Sequence, residues 1–202
     1  MNSSKSLGFT LIEVLVVIII IGILATISTA TLKNYFVKAR DAARKATVNN
    51  ITLIVKVDAS DQWSNEKYIY NVFGLRQLFE KNDYRVPKAS NNYCYLLGMG
   101  KGTQVVGDDN QFFVLVWGEE SNLELFNKPG PIVDGTQEVR LGLWTLFEAG
   151  DIVRENFVCE NGIVDTSSFQ VLRSFANPLL GQDPVYFGID ANGEIQNSAP
   201  GQ

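Results

Sequence analysis

One acidic side chain, Glu13, lies inside a long apolar stretch near the start of the chain. The sequence has 24 residues from Phe9 to Leu32, and Glu13 is the only one of them with a charged side chain. A carboxylate among apolar residues is costly unless it meets a cation or hydrogen-bond donors. Thr10 stands three residues earlier, a spacing that predicts a capping box at a helix start. The carboxylate is also placed to attract a positive charge where the dielectric constant is low, so both roles stay open.

The other potentially reactive side chains in the sequence do not indicate catalysis. The chain has no histidine, which removes the commonest general base and the serine triad. Cys94 and Cys159 are 65 residues apart, and in an exported protein they favour one disulfide, worth about 4 kcal/mol by loop closure. Two buried free thiols are the alternative. The adjacent carboxylates Asp108-Asp109 and Glu119-Glu120 are predicted to be solvated turn residues. We predict no catalytic residue, no enzyme activity and no cofactor.

A polar segment near the end of the sequence is similar to part of a calcium-binding loop. It places Asp190, Asn192 and Glu194 at alternate positions. The full EF-hand spacing is absent, and Asn192-Gly193 is a strong signal for a hairpin turn. We therefore favour a turn and predict no metal site, with these three residues as the calcium candidate.

The apolar stretch from 9 to 32 is long enough to cross a membrane. As a helix it would measure about 36 Å, against a hydrocarbon core of about 30 Å. A secretory signal would be followed by a cleavage site with small residues, and no such site follows Ile27. The stretch is therefore predicted to remain attached to the mature protein as a single membrane-spanning helix.

The start of the sequence resembles that of a type IV prepilin. The resemblance rests on Gly8 followed by FTLIEVLVVIIIIGILA, residues 9–25, and covers about the first 30 residues. It implies that a prepilin peptidase cleaves after Gly8 and methylates Phe9. It also implies that Glu13 of one copy pairs with the Phe9 amine of its neighbour during filament assembly. A proline that many pilins have in this helix is replaced here by Ala30. Any local melting of the helix is therefore expected to centre on Gly22 and the stretch 26–31, and a continuous helix is the alternative.

The charges change sign along the chain. Five basic residues follow the apolar stretch with Asp41 as the one acidic residue among them: Lys33, Lys38, Arg40, Arg44 and Lys45. The positive-inside tendency would place this basic neck in the cytoplasm, whereas the cleavage motif requires it outside, and we follow the motif. From residue 46 onward 11 basic residues face 20 acidic ones. The neck is expected to bind anionic lipid headgroups or the acidic head of a stacked copy.

The helix is predicted to continue to about Val57 as a spine for a globular head. A stripe of apolar residues recurs at helical spacing and is expected to pack against the head. Its members are Phe36, Ala39, Ala43, Ala46, Ile51, Ile54 and Val57. Four segments are therefore predicted: leader 1–8, membrane or filament-core helix 9–32, amphipathic continuation 33–57 and head 58–202.

The head is predicted to be α+β, with an antiparallel sheet lying on the spine helix. Periodicity predicts a short helix from Tyr70 to Lys81, and beyond Pro87 the pattern changes to short β-rich runs separated by turns. The clearest strands are Tyr93–Leu97, Gln111–Trp117, Leu123–Phe126 and Val185–Ile189, followed by a hairpin turn at 190–193.

The resemblance implies a structural subunit of a type IV pilus-like filament. A pseudopilin of a type II secretion system is the nearest alternative, and a signal-anchored exported enzyme or binding module is a third. The implied partners are other copies of the chain, the prepilin peptidase, a membrane assembly platform and, before assembly, the lipid bilayer. The acidic head argues against nucleic-acid binding. The precursor is expected in the cytoplasmic membrane with its head outside, and the mature chain in a surface filament with a role in adhesion or secretion.

Overall fold

The computed structural model describes residues 8–62, 72–88, 93–100, 112–119, 130–157, 159–160, 163–164, 166–180 and 184–197. The chain divides into two compact units, residues 1–40 and 41–202. The predicted leader residues 1–7, the predicted strand 123–126 and the Asp108-Asp109 pair lie outside the described residues. The predicted domain boundaries after residues 8, 32 and 57 stay predictions.

Four α-helices and seven strands make up the described part of the chain. The helices are α1 (Leu11–Gln62), α2 (Val72–Lys81), α3 (Gln137–Glu148) and α4 (Thr166–Leu180), with a 3-10 turn at Arg154–Asn156. The strands are β1 (Tyr95–Met99), β2 (Phe112–Trp117), β3 (Pro131–Gly135), β4 (Cys159–Glu160), β5 (Ile163–Val164), β6 (Val185–Ile189) and β7 (Ile195–Asn197).

Five strands form one antiparallel sheet in the order β3-β2-β1-β6-β7. The central strand β1 is paired on both sides, so that Leu97 stands between Val114 of β2 and Phe187 of β6. Strands β4 and β5 form a separate two-stranded ribbon. The α+β architecture with an antiparallel sheet is therefore confirmed.

The sheet is covered by helices on both faces. Side chains alternate across a strand, and β2 buries all six of its residues. Phe112, Val114 and Val116 pack in one core with α1 and α2, and Phe113 and Leu115 pack in a second core with α3 and α4. The expectation that the sheet lies on the spine helix accounts for one of these two layers.

Helices α3 and α4 correct the prediction of a β-rich region beyond Pro87. Thr136 caps the start of α3, where its hydroxyl accepts a hydrogen bond from the Val139 N–H at 3.4 Å. In α4 buried residues recur every three or four positions, as an amphipathic helix requires: Phe169, Leu172, Ala176 and Leu180. The two helices pack closely, since a Cβ on Gly142 of α3 would lie 2.4 Å from Leu179 Cδ2 of α4.

The predicted boundaries of the remaining elements differ by a few residues. Helix α1 runs to Gln62, five residues past the predicted Val57. The predicted helix 70–81 is observed as α2 from Val72, the first residue described in that region. Strand β1 starts two residues later than predicted, and β6 has its predicted bounds. The predicted strand 111–117 is observed as β2 from Phe112, the first residue described in that region. The hairpin turn joins β6 to β7 as predicted.

The apolar stripe predicted to pack against the head is wrong in most of its members. Ile51 is buried and Ile54 is half-buried, whereas Phe36, Ala39, Ala43, Ala46 and Val57 are exposed. The side of α1 that the head covers shares only Ile51 with that stripe and consists of Asp41, Arg44, Thr47, Val48, Ile51, Thr52, Val55 and Asp58. The three charged side chains on this side, Asp41, Arg44 and Asp58, have partners in the head, namely Glu119 and Lys81, which a hydrophobic periodicity cannot reveal.

One structural finding bears on the prediction that residues 9–32 span a membrane. Within the ranges described above, no helix contains a stretch of side chains long and apolar enough to qualify as a membrane span.

Two leucines of α3 test the second core. Leu143 is 2% exposed and Leu141 is 59% exposed. We expect Leu143→Ala to lower the free energy of unfolding by about 2–5 kcal/mol because it leaves a cavity. Leu141→Ala should change it by less than about 0.5 kcal/mol. Urea denaturation of the detergent-dispersed chain measures both values, and equal losses would contradict the described packing of α3.

Buried tyrosines predict a loss of stability in alkali. Burial raises the pKa of Tyr95, against an opposing hydrogen bond from Thr47 and the charge of Arg44, and it also raises the pKa of Tyr186. A phenol in the unfolded chain has a pKa of about 10, so stability is full below pH 10 and falls as the pH rises further, because the unfolded state loses its protons first. Tyr186→Phe should make the stability fall less steeply with rising pH, whereas Tyr35→Phe, at an exposed position, should not. Denaturation midpoints from pH 8 to 11 provide the measurement.

Candidate functional site

The start of α1 is closed by a reciprocal capping box between Thr10 and Glu13. The Thr10 N–H and its hydroxyl both donate to Glu13 Oε2 at 2.8 Å. In return the Glu13 N–H donates to Thr10 Oγ1 at 3.4 Å. Two backbone N–H groups at the helix start, those of Thr10 and Glu13, are therefore satisfied within one turn. The capping role of Glu13 is present in the single chain, and the pairing with a neighbouring Phe9 amine stays a prediction.

The residues around this box are exposed and free of steric constraint. Phe9 is exposed beside the predicted cleavage point. A Cβ on Gly8 would meet nothing within 4 Å, and the same is true at Gly22. The fold therefore gives no packing reason for glycine at position 8. Helix α1 is continuous through Gly22, and melting at that position stays a prediction.

The apolar run that follows is exposed on every side of the helix. Large apolar side chains from Leu11 to Leu24 are each between 46% and 85% exposed. Contiguous apolar surface of this extent marks a site of contact with a membrane or another protein. The N-terminal end of α1 thus carries one capped carboxylate, which is followed by an exposed apolar stretch of helix.

A second concentration of charge lies where α1 enters the head unit. Arg44 is 4% exposed. Its two terminal nitrogens reach Asp41 Oδ1 at 2.5 Å and Glu119 Oε1 at 2.6 Å. The Glu119 N–H also donates to both oxygens of Asp41, at 2.9 and 3.0 Å. A buried guanidinium is thereby balanced by two carboxylates.

An aromatic ring completes this charge cluster. The Arg44 guanidinium lies 3.6 Å from the centroid of the Tyr93 ring, a cation–π contact. Arg154 also contacts that ring, at 4.9 Å. Tyr93 is buried and comes two residues before β1. The cluster of Asp41, Arg44, Glu119 and Tyr93 therefore joins α1 to the end of β2 and the approach to β1, and we call it the Arg44 cluster.

The Arg44 cluster corrects two sequence interpretations. The sequence predicts Arg44 in a basic neck that binds lipid headgroups or acidic heads, but Arg44 is buried and paired inside the head. The sequence predicts Glu119 in a solvated turn, but its side chain is 17% exposed and bonded to Arg44. No sequence spacing links positions 44 and 119, so only the fold reveals the pair. Asp41 stands at i and Arg44 at i+3, which is a helix-pair signal.

The Asp190 segment forms the predicted turn. Asp190 Oδ1 accepts hydrogen bonds from the backbone N–H groups of Asn192 and Glu194, at 2.8 and 2.9 Å. The Gly193 N–H donates to the Asp190 carbonyl, and Gly193 has a φ of +87°, a conformation that favours glycine. Among the described residues no group of three or more acidic or cysteine side chains is arranged to hold a metal ion. The calcium candidate is not supported by this geometry and stays a prediction.

The two cysteines lie at strand ends in the head. Cys94 is half-buried immediately before β1, and Cys159 is the first residue of β4. Their disulfide stays a prediction.

Comparison with known proteins finds a match for the N-terminal segment. Residues 3–29 match the family model described as the prokaryotic N-terminal methylation motif. This match supports a type IV pilin-like or pseudopilin-like prepilin, and it points to a structural family rather than to an enzyme. It includes Gly8, the capping box and the exposed apolar run, and it stops before the Arg44 cluster. No solved structure matches the chain.

Adjacent basic residues test the Arg44 cluster. Arg44→Met should lower the free energy of unfolding by about 3–5 kcal/mol, because it leaves two carboxylates without their buried cation. Lys45→Met removes an equal charge from an exposed position and should cost less than about 0.5 kcal/mol. Urea denaturation of the full chain compares them. A small loss at both positions would show that the head does not depend on the pair.

Proposed function

We propose that this chain is a structural subunit of a type IV pilus-like filament. The precursor is held in the cytoplasmic membrane by residues 9–32 with its head outside. A prepilin peptidase removes residues 1–8 and methylates Phe9, and the membrane assembly platform then adds the subunit to a filament. Its partners are other copies of the same chain, and its role is structural rather than catalytic.

The exposed apolar run of α1 is the observation that carries this proposal. A fully buried aliphatic side chain contributes about 1.5–3 kcal/mol relative to an exposed one. The twelve large apolar residues from Leu11 to Leu24 are exposed in the single chain, so this contribution is unrealised. Lipid supplies the cover before assembly, and the helices of neighbouring copies supply it in the filament.

The capping box supports an assembly role for Glu13. Both of its hydrogen bonds to Thr10 use Oε2, so the carboxylate is held in a fixed orientation at the helix start. After cleavage the new amine at Phe9 is a cation, and an apolar surround strengthens its attraction to a carboxylate on another copy. The cap keeps the helix end satisfied while the negative charge remains to be balanced by a neighbour.

Two unconstrained glycines test the processing step. We expect the mature chain to begin at methylated Phe9. Gly8→Val should leave residues 1–8 attached, because the peptidase must accept the residue before the cut. Gly22→Val is the matched control, since a Cβ at either position meets nothing within 4 Å, and it should be processed normally. Mass spectrometry of the N-terminal peptide gives the answer.

An unprocessed N-terminus in the parent chain would contradict the proposal. It would favour a signal-anchored exported enzyme or binding module instead. Normal cleavage of the Gly8→Val chain would show that the motif is not what directs processing.

Conservative changes in the capping box separate its two roles. Glutamine supports a capping box as glutamate does, so Glu13→Gln preserves the helix start and removes the charge. We expect it to reduce filament yield at least tenfold with unchanged helix content, because the Phe9 amine loses its counterion. Thr10→Val breaks the cap and keeps the charge, and should cost about 1 kcal/mol of helix stability with a smaller loss of filaments. The readouts are circular dichroism and sheared-filament yield, and a normal yield from the Glu13→Gln chain would exclude the charge role.

Electron microscopy of sheared surface material identifies the kind of assembly. Long surface filaments that contain this chain support the pilus-like proposal. Their absence, together with loss of protein secretion in a deletion strain, would instead identify a pseudopilin of a type II secretion system.

A further inference from the structure

Among the described residues, the five-stranded sheet ends at β3 on one side and at β7 on the other. An edge strand presents a row of backbone N–H and C=O groups that a strand of another chain can pair with. The backbone groups that face each edge therefore decide whether two copies of this chain can join their sheets.

The register of β3 identifies the residues that face its free edge. The Gly118 N–H donates to the Gly130 carbonyl at 2.9 Å, next to the start of β3. Opposite residues of an antiparallel pair alternate between hydrogen-bonded and non-hydrogen-bonded pairs. Two residues of β3 therefore direct their backbone groups to β2: Ile132 and Asp134. The alternate residues direct theirs to the free edge: Pro131, Val133 and Gly135.

Two of these three outward-facing residues offer no available N–H. Proline has no backbone N–H, so Pro131 supplies no donor, and within sheets proline is confined to positions of this kind. The Gly135 N–H donates to Asp134 Oδ1 at 2.7 Å. In the part of the chain that the structure describes, Val133 is thus the one outward-facing residue of β3 whose N–H has no hydrogen-bond partner.

Pairing between the β3 edges of two copies would therefore lose most of its hydrogen bonds. The antiparallel register that uses all three outward-facing residues sets Val133 opposite Val133 and Pro131 opposite Gly135. Each strand would then need to donate three N–H groups, and only that of Val133 is available. The Gly135 carbonyl would face a proline nitrogen, and a backbone carbonyl buried without a donor is unfavourable.

The opposite edge is covered by a side chain of α2. The Asp190 N–H donates to the Glu194 carbonyl at 3.0 Å, so by the same alternation Ile195 of β7 faces away from β6. Arg76 Nη2 donates to the Ile195 carbonyl at 3.4 Å and lies 3.8 Å from Glu194 Oε2. Charged side chains at a sheet edge oppose the addition of another strand.

We propose that the missing N–H of Pro131 and the hydrogen bond from Gly135 to Asp134 close the β3 edge to strand addition, so that copies of this chain cannot join their sheets edge to edge. The need for such a block rests on the proposed filament function, because a filament holds many heads close together. The block itself is a property of the single chain.

Amide hydrogen exchange tests the edge in the parent chain. The full chain is dispersed in detergent at a low ratio of chains to micelles, and exchange is followed by NMR. The Val133 amide should exchange at least tenfold faster than the amides of Ile132 and Asp134, which pair with β2. An equally slow Val133 amide would show that other groups already cover this edge, and would overturn the proposal.

Pro131→Val and Asp134→Ala together restore the missing donors. We expect the double variant to associate at concentrations where the parent does not, with at least tenfold protection of its Val133 amide, because the β3 edges now pair. Asp151→Ala is the control, since it removes an exposed carboxylate outside the sheet, and it should behave like the parent. Sedimentation and exchange on the same samples are the readouts. No association, or association with a rapidly exchanging Val133 amide, would overturn the proposal.

The Ile132 amide reports whether β3 remains in the sheet. If it loses protection in the double variant, the two single variants decide by the same readouts, and association of neither would overturn the proposal. Asp134→Asn keeps an acceptor for the Gly135 N–H and removes the charge, so it should stay unassociated. Its association would show that charge, and not the hydrogen bond, closes the edge, which would overturn the proposed mechanism.

Filament formation is scored separately from the state of the edge. If the parent chain yields no sheared filaments, the proposed function fails. Exchange and association in detergent still decide whether Pro131 and Asp134 close the β3 edge, since neither measurement needs a filament.

Discussion

The need to balance one buried guanidinium organises the head. Arg44 is nearly inaccessible to water, so its charge requires partners inside the protein. One partner, Asp41, comes from the preceding turn of α1, and another, Glu119, follows β2. The Tyr93 ring beside β1 covers the guanidinium. A single side chain thus links the helix to the end of β2 and to the residues before β1, and it does so at the start of the compact unit 41–202.

Burial of the sheet on both faces follows from its sequence. A half-solvated antiparallel strand alternates apolar and polar residues, whereas β2 reads FFVLVW and is apolar throughout. Such a strand needs a helix layer on each face. Helices α1 and α2 cover one side, and α3 and α4 cover the other. The continuous apolar run of β2 therefore indicates a second covering layer, the one that α3 and α4 form.

Features that depend on neighbouring residues are predictable from the sequence, whereas contacts between residues distant in sequence are not. The capping box, α2, three strands of the sheet and the hairpin at Asp190 depend on neighbouring residues, and each lies at or near its predicted place. The pairing of Arg44 with Glu119 joins positions 75 residues apart, and no local spacing predicts it. The same dependence on residues distant in sequence explains why the predicted apolar stripe of α1 is wrong. Periodicity finds the most apolar side of a helix, but the head offers charged partners to a different side.

Two charges in apolar surroundings are balanced in different ways along one helix. Glu13 is satisfied within its own turn by Thr10, so the described part of unit 1–40 needs no contact from the head to close its helix start. Arg44 is satisfied by Asp41 one turn earlier and by Glu119 and Tyr93, which are distant in sequence, so it links this part of α1 to the head. The large apolar side chains from Leu11 to Leu24 lie on the same helix and are exposed. They remain exposed at a cost in water, and this cost is consistent with a protein whose apolar surfaces are completed by other copies of itself.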